Sequence, residues 1–321
     1  MAINTLFKIL LFSFISSNML LAQGTEEQRK YLIKDEKALL NFINSSGQLE
    51  GLSLFNHSQY TYFDLYLDTP EFDLYKNKLS LRFRKRIFSD TLVTYGLQLK
   101  SEMETYSSVR MEIEEKELGF YRVKTDKGWI ELPKILDVIF SQIQNNKFDI
   151  SSVEFQQALS SIQKWIQLNS GSTISPFQKI AFLKLKGLGT EKIATIKPMI
   201  VGSEKRIRSH IYIDPAKTII ELRNMPMNSL ELSTVPDFFK KNNSFNWILE
   251  TSVDSAVFYS LFKTNKTQVE IFEFEVENKY FLHEKGTEIM NLFEKNLKSN
   301  FQMENLMDSK YRQSIKKFLV P

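Results

Sequence analysis

The chain has 321 residues, 42% hydrophobic and 13% aromatic, enough for one large domain or two small ones. Its net charge of +4 predicts no global field for nucleic acid or a membrane surface. It contains no cysteine, and its three histidines, His57, His210 and His283, show no ligand spacing. Disulfides, a thiolate nucleophile and a Cys-type zinc site are therefore excluded, and any metal falls to oxygen ligands, the donor set of Mg²⁺, Mn²⁺ or Ca²⁺.

In chain order, residues 1–22 read as a secretory signal peptide. Lys8 supplies the positive region, Ile9 to Leu21 is mostly apolar, and Ala22 before Gln23 offers a small-residue cleavage site. The apolar run is interrupted by Ser16-Ser17-Asn18 and is short for a span, and no later segment is long enough; an uncleaved anchor is the alternative. The expected product is a secreted or periplasmic chain over 23–321, without a stable membrane span. Asp35 to Gly47 predicts a short helix on Ala38, Leu39, Phe42 and Ile43. Strands follow. Tyr62, Asp64, Tyr66 and Asp68 alternate with Phe63, Leu65 and Leu67 until Thr69-Pro70 breaks the run. Over 79–86, Arg82, Arg84 and Arg86 oppose Leu79, Leu81 and Phe83. Over 92–100, Gln98 and Lys100 oppose Leu97 and Leu99, and over 108–114, Arg110, Glu112 and Glu114 oppose Val109, Met111 and Ile113.

From about 133 to 190 the period changes to that of helices. Ile135, Leu136, Ile139 and Ile143 mark one, Phe155, Leu159, Ile162 and Ile166 a second, and Phe177, Ile180, Phe182 and Leu183 a third. Gly187-Leu-Gly189 lacks the Lys-Ser/Thr of a P-loop and reads as a plain loop. Strands resume at 205–214, where Arg206, Arg208, His210 and Tyr212 oppose Ile207, Ile211 and Ile213, and continue at 218–223, 247–254 and 268–277. Two helices close the chain, near 285–297 and 308–319. Trp129, Trp165, Met225 and Met227 read as packing residues.

The polar faces of these strands are sorted by charge. Arg82, Arg84, Lys100, Arg110, Arg206 and Arg208 recur at one parity, and so do Glu112, Glu114, Glu273, Glu275 and Glu277. Glu273, Glu275 and Glu277 stand ~7 Å apart along one face, close enough to repel unless a cation sits among them. Two readings stay open. One is a solvated sheet face with Arg–Glu cross-strand pairs, each worth ~0.2–1 kcal/mol. The other is a closed antiparallel β-barrel, an α+β tunnel with a charged interior and helices outside. In that lumen guanidinium forks suit phosphate oxygens and clustered carboxylates suit divalent ions. A barrel for an apolar ligand is disfavoured, since its inward faces would have to be apolar.

The order of motifs resembles the CYTH domain, or triphosphate tunnel metalloenzyme, family. Tyr62-Phe-Asp-Leu-Tyr-Leu-Asp68-Thr-Pro, Asp73-Leu and Leu79-Ser-Leu-Arg82-Phe-Arg84 are similar to its first block. Tyr95 to Lys100, Arg110-x-Glu112-x-Glu114, Trp247 to Asp254, Glu273-x-Glu275-x-Glu277 and Asp308-Ser309-Lys310-Tyr311-Arg312 are similar to its further motifs. The N-terminal E-x-E-x-K strand is matched at Glu26 and Lys30, but Gln28 replaces the second Glu, offering a carbonyl oxygen without charge. The resemblance implies a tunnel domain over 23–321 with a helical insertion at about 133–190, and a hydrolase acting on tripolyphosphate or an organic triphosphate with Mg²⁺ or Mn²⁺. By the same resemblance, Arg82, Arg84, Lys100, Arg110, Arg206 and Arg208 would bind phosphates. Glu26, Glu273, Glu275 and Glu277 would bind metal, and Lys30, Glu112 and Glu114 would form the catalytic group. No nucleic-acid partner is expected. Gln28 keeps a second reading open, a polyphosphate binder without turnover.

Overall fold

The computed structural model describes residues 25–33, 52–89, 92–102, 109–115, 121–125, 128–145, 148–169, 187–213, 233–234, 248–263, 268–278, 303–306, 308–319 and helical positions between 288 and 298. The expected signal peptide, the helix over 35–46, the helix near 177–183, the strand over 218–223, Met225 and Met227 lie outside these residues.

The alternating runs form a mainly antiparallel sheet. Its strands are β1 (Thr25–Ile33), β2 (Leu52–Asp68), β3 (Leu79–Ser89), β4 (Leu92–Glu102), β5 (Val109–Glu115), β8 (Lys197–Ile213), β10 (Ile248–Ser260) and β11 (Gln268–Asn278). The main path runs β11–β10–β8–β2–β3–β4–β5–β1. β1 is bonded to β5 through Thr25 to Glu27 and to β11 through Glu27 to Leu32. Two short strands border the sheet: β9 (Ser233–Thr234) lies parallel to β2, and β12 (Met303–Asn305) pairs with β1. A hairpin of β6 (Arg122–Thr125) and β7 (Gly128–Glu131) stands apart from it.

The pleat sends alternate side chains to opposite faces, and the faces are unlike. On one, Phe63, Leu65 and Leu67 of β2, Leu81 and Phe83 of β3, and Leu97 and Leu99 of β4 are buried. They pack under α2 (Leu132–Gln144), whose Leu136, Ile139 and Phe140 recur at helical spacing, and under α3 (Val153–Asn169), whose Phe155, Ile162, Trp165 and Ile166 do the same. Pro133 at the start of α2 fits the first turn, where its missing N–H leaves no bond unmade. Fully burying such side chains contributes ~1.5–3 kcal/mol each, which commits this face to the core. Trp165 is buried as expected. Trp129, on β7, is 67% exposed, which corrects its reading as a packing residue: the hairpin that carries it leaves the main sheet.

The opposite face carries the charges and, at one end, a second apolar cluster. Tyr66, Ile200, Ala256, Phe258, Val269 and Ile271 pack there against Tyr311, Ile315 and Phe318 of the C-terminal helix α5 (Lys310–Leu319). Asp68, at the end of β2, fixes this junction. Its carboxylate accepts from the backbone N–H groups of Thr69, Leu74 and Tyr75 at 2.7, 2.8 and 3.0 Å, which shapes the turn into α1 (Asp73–Lys76). It also accepts the Tyr311 hydroxyl at 2.6 Å, while the Tyr311 ring stacks on Tyr66 at 5.1 Å. The remaining short helix, α4 (Thr190–Ala194), leads into β8 and holds α1 through Lys192 on Asp73 at 2.8 Å. Among the described residues no helix is long and apolar enough to cross a membrane.

Candidate active site

Cross-strand register decides which charges meet. Asp64 of β2 stands opposite Arg84 of β3, Asp254 of β10 opposite Arg206 of β8, and Lys30 of β1 opposite Glu275 of β11. All six side chains are buried. Arg84 grips Asp64 with a two-pronged fork, both contacts at 2.6 Å, and Arg82 adds a third bond at 3.1 Å. The outer nitrogen of Arg84 reaches Glu204 at 3.1 Å. Glu204 also meets Arg206 at 3.2 Å. Arg206 forks onto Asp254 at 2.7 and 2.5 Å and reaches Glu275 at 2.8 Å. Lys30 bridges Glu273 and Glu275 at 3.0 and 2.5 Å.

Lys310 completes the set from α5. Its ammonium lies 2.6 Å from Asp254, in contact with Glu273, 3.5 Å from Glu275 and 3.8 Å from Glu204. Five cations (Lys30, Arg82, Arg84, Arg206, Lys310) thus face five carboxylates (Asp64, Glu204, Asp254, Glu273, Glu275) in one connected lattice. Aromatic rings of β2 brace the guanidinium groups: Arg84 sits over Tyr62 at 4.3 Å and Arg82 over Tyr66 at 5.5 Å. Such stacking holds planar forks in register for planar anions.

Burial raises the energy of every charge here, and only pairing offsets it. Against that cost, Arg82 and Arg84 hold the Asp64 carboxyl below its ordinary value, and Lys310, Arg84 and Arg206 do the same for Glu204. Lys30, Lys310 and Arg206 hold Glu275 well below. Asp254 goes the other way. Burial, with Glu204 and Glu275 nearby, pushes its carboxyl up to about 6 although Arg206 and Lys310 oppose the shift. The carboxylates around Lys310 keep its ammonium protonated far beyond its usual range.

The expected site residues divide as follows. Lys30, Arg82, Arg84, Arg206, Glu273 and Glu275 come together in the lattice. Arg208 stands two residues further along β8, half-buried, and pairs with Glu250 at 2.9 Å while capping the Tyr60 ring at 5.2 Å. Glu277 is buried and accepts the side-chain amide of Gln28, so Gln28 acts as a donor to the acidic strand. Lys100 is half-buried on β4, at a register position opposite Glu112. Glu26, Arg110, Glu112 and Glu114 occupy strand positions, with Glu26 opposite Arg110 and Glu114 opposite Gln98; their side chains lie outside the described residues.

Sequence reasoning passed over Asp64, Glu204, Asp254 and Glu250, the carboxylates that pair with the arginines. None of them belongs to an alternating run of like charge: Glu250 and Asp254 stand four residues apart on β10, Asp64 and Asp68 four apart on β2, and Glu204 is the one acid of β8. The available signal was parity: each shares the face of the arginine beside it. Lys310 stood out in the Ser309-Lys310-Tyr311 motif, where a place at the tunnel mouth and a solvated helix position were equally open; Gln313 carried no signal, and it donates to Glu273 at 2.9 Å.

The chemistry of the donors fits a divalent cation. Oxygens of Asp254, Glu273 and Glu275 lie within 4.8 Å of one another, all buried, and an all-carboxylate set suits Mg²⁺ or Mn²⁺. One Glu204 oxygen is buried without a hydrogen bond, its nearest counter-charge being Arg206 at 3.2 Å.

No protein-family model and no curated protein matches the chain. Among solved structures it is similar to a candidate adenylyl cyclase from Hippeastrum with a dominant triphosphatase activity, at 16% identity over 92% of this chain and 98% of that one, with a TM-score of 0.44. A protein from Pyrococcus horikoshii OT3 matches at 10% identity over 91% of this chain and 99% of that one, TM-score 0.41. A candidate adenylate cyclase from Bacillus halodurans matches at 13% identity, 92% and 98% coverage, TM-score 0.40.

Proposed function

We propose that this protein is an exported, metal-dependent phosphohydrolase acting on inorganic tripolyphosphate or an organic triphosphate, its sheet wrapped into a tunnel around the substrate. The observation that carries the reading is the buried lattice of forked arginines and carboxylates on one sheet face, with aromatic rings of β2 on the same face against the guanidinium groups. A purely structural ion-pair lattice is a poor stabiliser, because desolvation consumes most of the Coulomb gain. A site that must hold a polyanion has a reason to keep it.

In this reading Arg82, Arg84, Arg206 and Arg208 turn their forks from carboxylates to phosphate oxygens, with Lys100 and Arg110 extending the row. Lys30 orients the phosphate chain. The lattice is neutral on its own side chains, so a triphosphate brings an uncompensated negative charge into it. The carboxylates Glu26, Glu273, Glu275 and Glu277, joined by Asp254, would hold Mg²⁺ or Mn²⁺, which neutralises phosphate charge and polarises the phosphorus. Water then adds to the terminal phosphorus, the bridging P–O bond breaks, and tripolyphosphate yields orthophosphate and pyrophosphate. Glu112 and Glu114 orient that water and accept its proton. Such transfer is mostly positioning and charge stabilisation, which asks for no Cys or His.

Gln28 and the ammonium groups among the acids favour one other reading, a polyphosphate binder without turnover. Calorimetry with tripolyphosphate, run beside a phosphate-release assay with Mg²⁺ or Mn²⁺, separates the two. Binding with release supports the hydrolase, and tight binding without release supports the binder. If folded protein shows neither with tripolyphosphate, ATP or thiamine triphosphate, both are wrong.

A further inference from the structure

The three carboxylates that could hold a cation are already served by one. Lys310 contacts Asp254, Glu273 and Glu275 together, with Glu204 as a fourth neighbour. Lys30 contacts Glu273 and Glu275. The Lys310 side chain is 5% exposed, so its ammonium is held in place of solvent. It arrives on a helix whose seat is fixed separately: Tyr311 is stacked on Tyr66 and bonded to Asp68, and Gln313 is bonded to Glu273.

We infer that Lys310 and a divalent cation are alternative occupants of the Asp254–Glu273–Glu275 group, so that α5 acts as a built-in plug on the metal position. This rests on the metal-dependent reading above and deepens it. A metal ion held by three carboxylates needs the oxygens that the ammonium now touches, and two cations sharing them would repel at a few ångströms in a dry interior. The anchors of α5 lie beyond Lys310, so the lysine side chain can swing while the helix stays seated. Arriving phosphate oxygens give the displaced ammonium a new partner, which ties loading of metal to loading of triphosphate. The resting protein is then charge-balanced and closed to free metal.

The test is Mn²⁺ binding to the full chain without substrate, read by electron paramagnetic resonance and by thermal shift. Wild type is expected to bind Mn²⁺ weakly and gain almost nothing in Tm. Lys310→Met should bind at least about tenfold more tightly, since an opposing charge is gone, and its lowered Tm should recover with Mn²⁺. Lys310→Arg, which keeps the cation, should behave as wild type, and Lys30→Met should gain less than Lys310→Met. If Lys310→Met does not fold alone, restoration of its circular dichroism by Mn²⁺ supports the inference. Failure to fold at saturating Mn²⁺ overturns it, as does equal or weaker Mn²⁺ binding by a folded Lys310→Met, or a gain in Lys310→Arg equal to that in Lys310→Met. Phosphate release by wild type decides the parent reading separately. Release with no gain in Lys310→Met sinks only the plug, and a gain with no release from any triphosphate sinks only the hydrolase.

Discussion

Arg206→Met removes the hub of the lattice. Arg206 forks onto Asp254 and touches Glu275 and Glu204, so the substitution leaves three buried carboxylates with Lys30, Arg84 and Lys310 as their remaining counter-charges. Stripping one partner from a buried ion pair costs ~3–5 kcal/mol. With ~2.1 cal/mol/K of unfolding entropy per residue over ~300 residues, that corresponds to a Tm loss of about 5–8 °C. The sign of the pH dependence follows from the carboxyls. Glu204 and Glu275 are held below their ordinary values in the folded protein, so their pairing stabilises above that range and is lost as pH falls through the depressed values. Without Arg206 both carboxyls move up, the variant takes up protons in mild acid, and its deficit shrinks. Calorimetric melts at about pH 7.5 and pH 4.5 should show the full loss at the first and about half or less at the second. The double variant Arg206→Met/Asp254→Leu should recover part of the loss, since it removes a stranded charge together with its partner. A Tm change under about 2 °C at neutral pH, or a deficit unchanged in acid, would show that Arg206 does not hold these carboxylates ionised in the folded protein.

Two further outcomes follow from single sites. Burial pushes the Tyr66 phenol up to about 12, and burial with nearby carboxylates raises Tyr31, Tyr95 and Tyr311 further. Their raised values stabilise the fold below the ordinary tyrosine range, and that contribution is lost as pH climbs through the folded values; phenolate absorbance from these four should therefore rise only together with alkaline unfolding, and their ionisation near pH ~10 in folded protein would contradict this. Gly202 on β8 faces Phe258 and Val257 of β10, where an added Cβ would lie 2.2 Å from the Phe258 ring and 2.5 Å from a backbone oxygen. Gly202→Ala should cost ~1–3 kcal/mol or more in denaturant melts, and a neutral result would show that β10 can withdraw there.

Much of the scaffold was legible because alternation is a local signal. The apolar rows of β2, β3 and β4 and the stripes of α2 and α3 each sit in a dozen consecutive residues. The strand ends were less so. β2 begins at Leu52 rather than near Tyr60, because Asn56-His57-Ser58 breaks the alternation where the structure carries an irregular register between Phe55 and His57. β8 begins at Lys197, ahead of the Arg row, since Pro198 and Gly202 read as a break. The hairpin that exposes Trp129 pairs Thr125 with Gly128 and Lys124 with Trp129, and the apolar weight of the tryptophan outweighed its place in so short a pairing. In the site, runs such as Arg82-x-Arg84 and Glu273-x-Glu275 announced themselves. Their partners did not, because Asp64 against Arg84 and Asp254 against Arg206 are matters of register between distant strands, and a one-residue slip would send each to the other face. Lys310 was harder still: its place among the acids depends on how α5 docks on Asp68 and Tyr66.

On the proposed function, this lattice holds and splits a triphosphate with a divalent cation. The most direct measurement is the rate of orthophosphate release from tripolyphosphate with Mn²⁺, for wild type and for Arg84→Met, with calorimetric binding recorded alongside. Sustained release by wild type, abolished by a chelator and lowered at least ~100-fold in Arg84→Met, is the predicted result, in keeping with the loss of a charge-stabilising group at the reacting phosphate. Release that persists undiminished in Arg84→Met, or a folded wild type that neither binds nor cleaves tripolyphosphate, would contradict it.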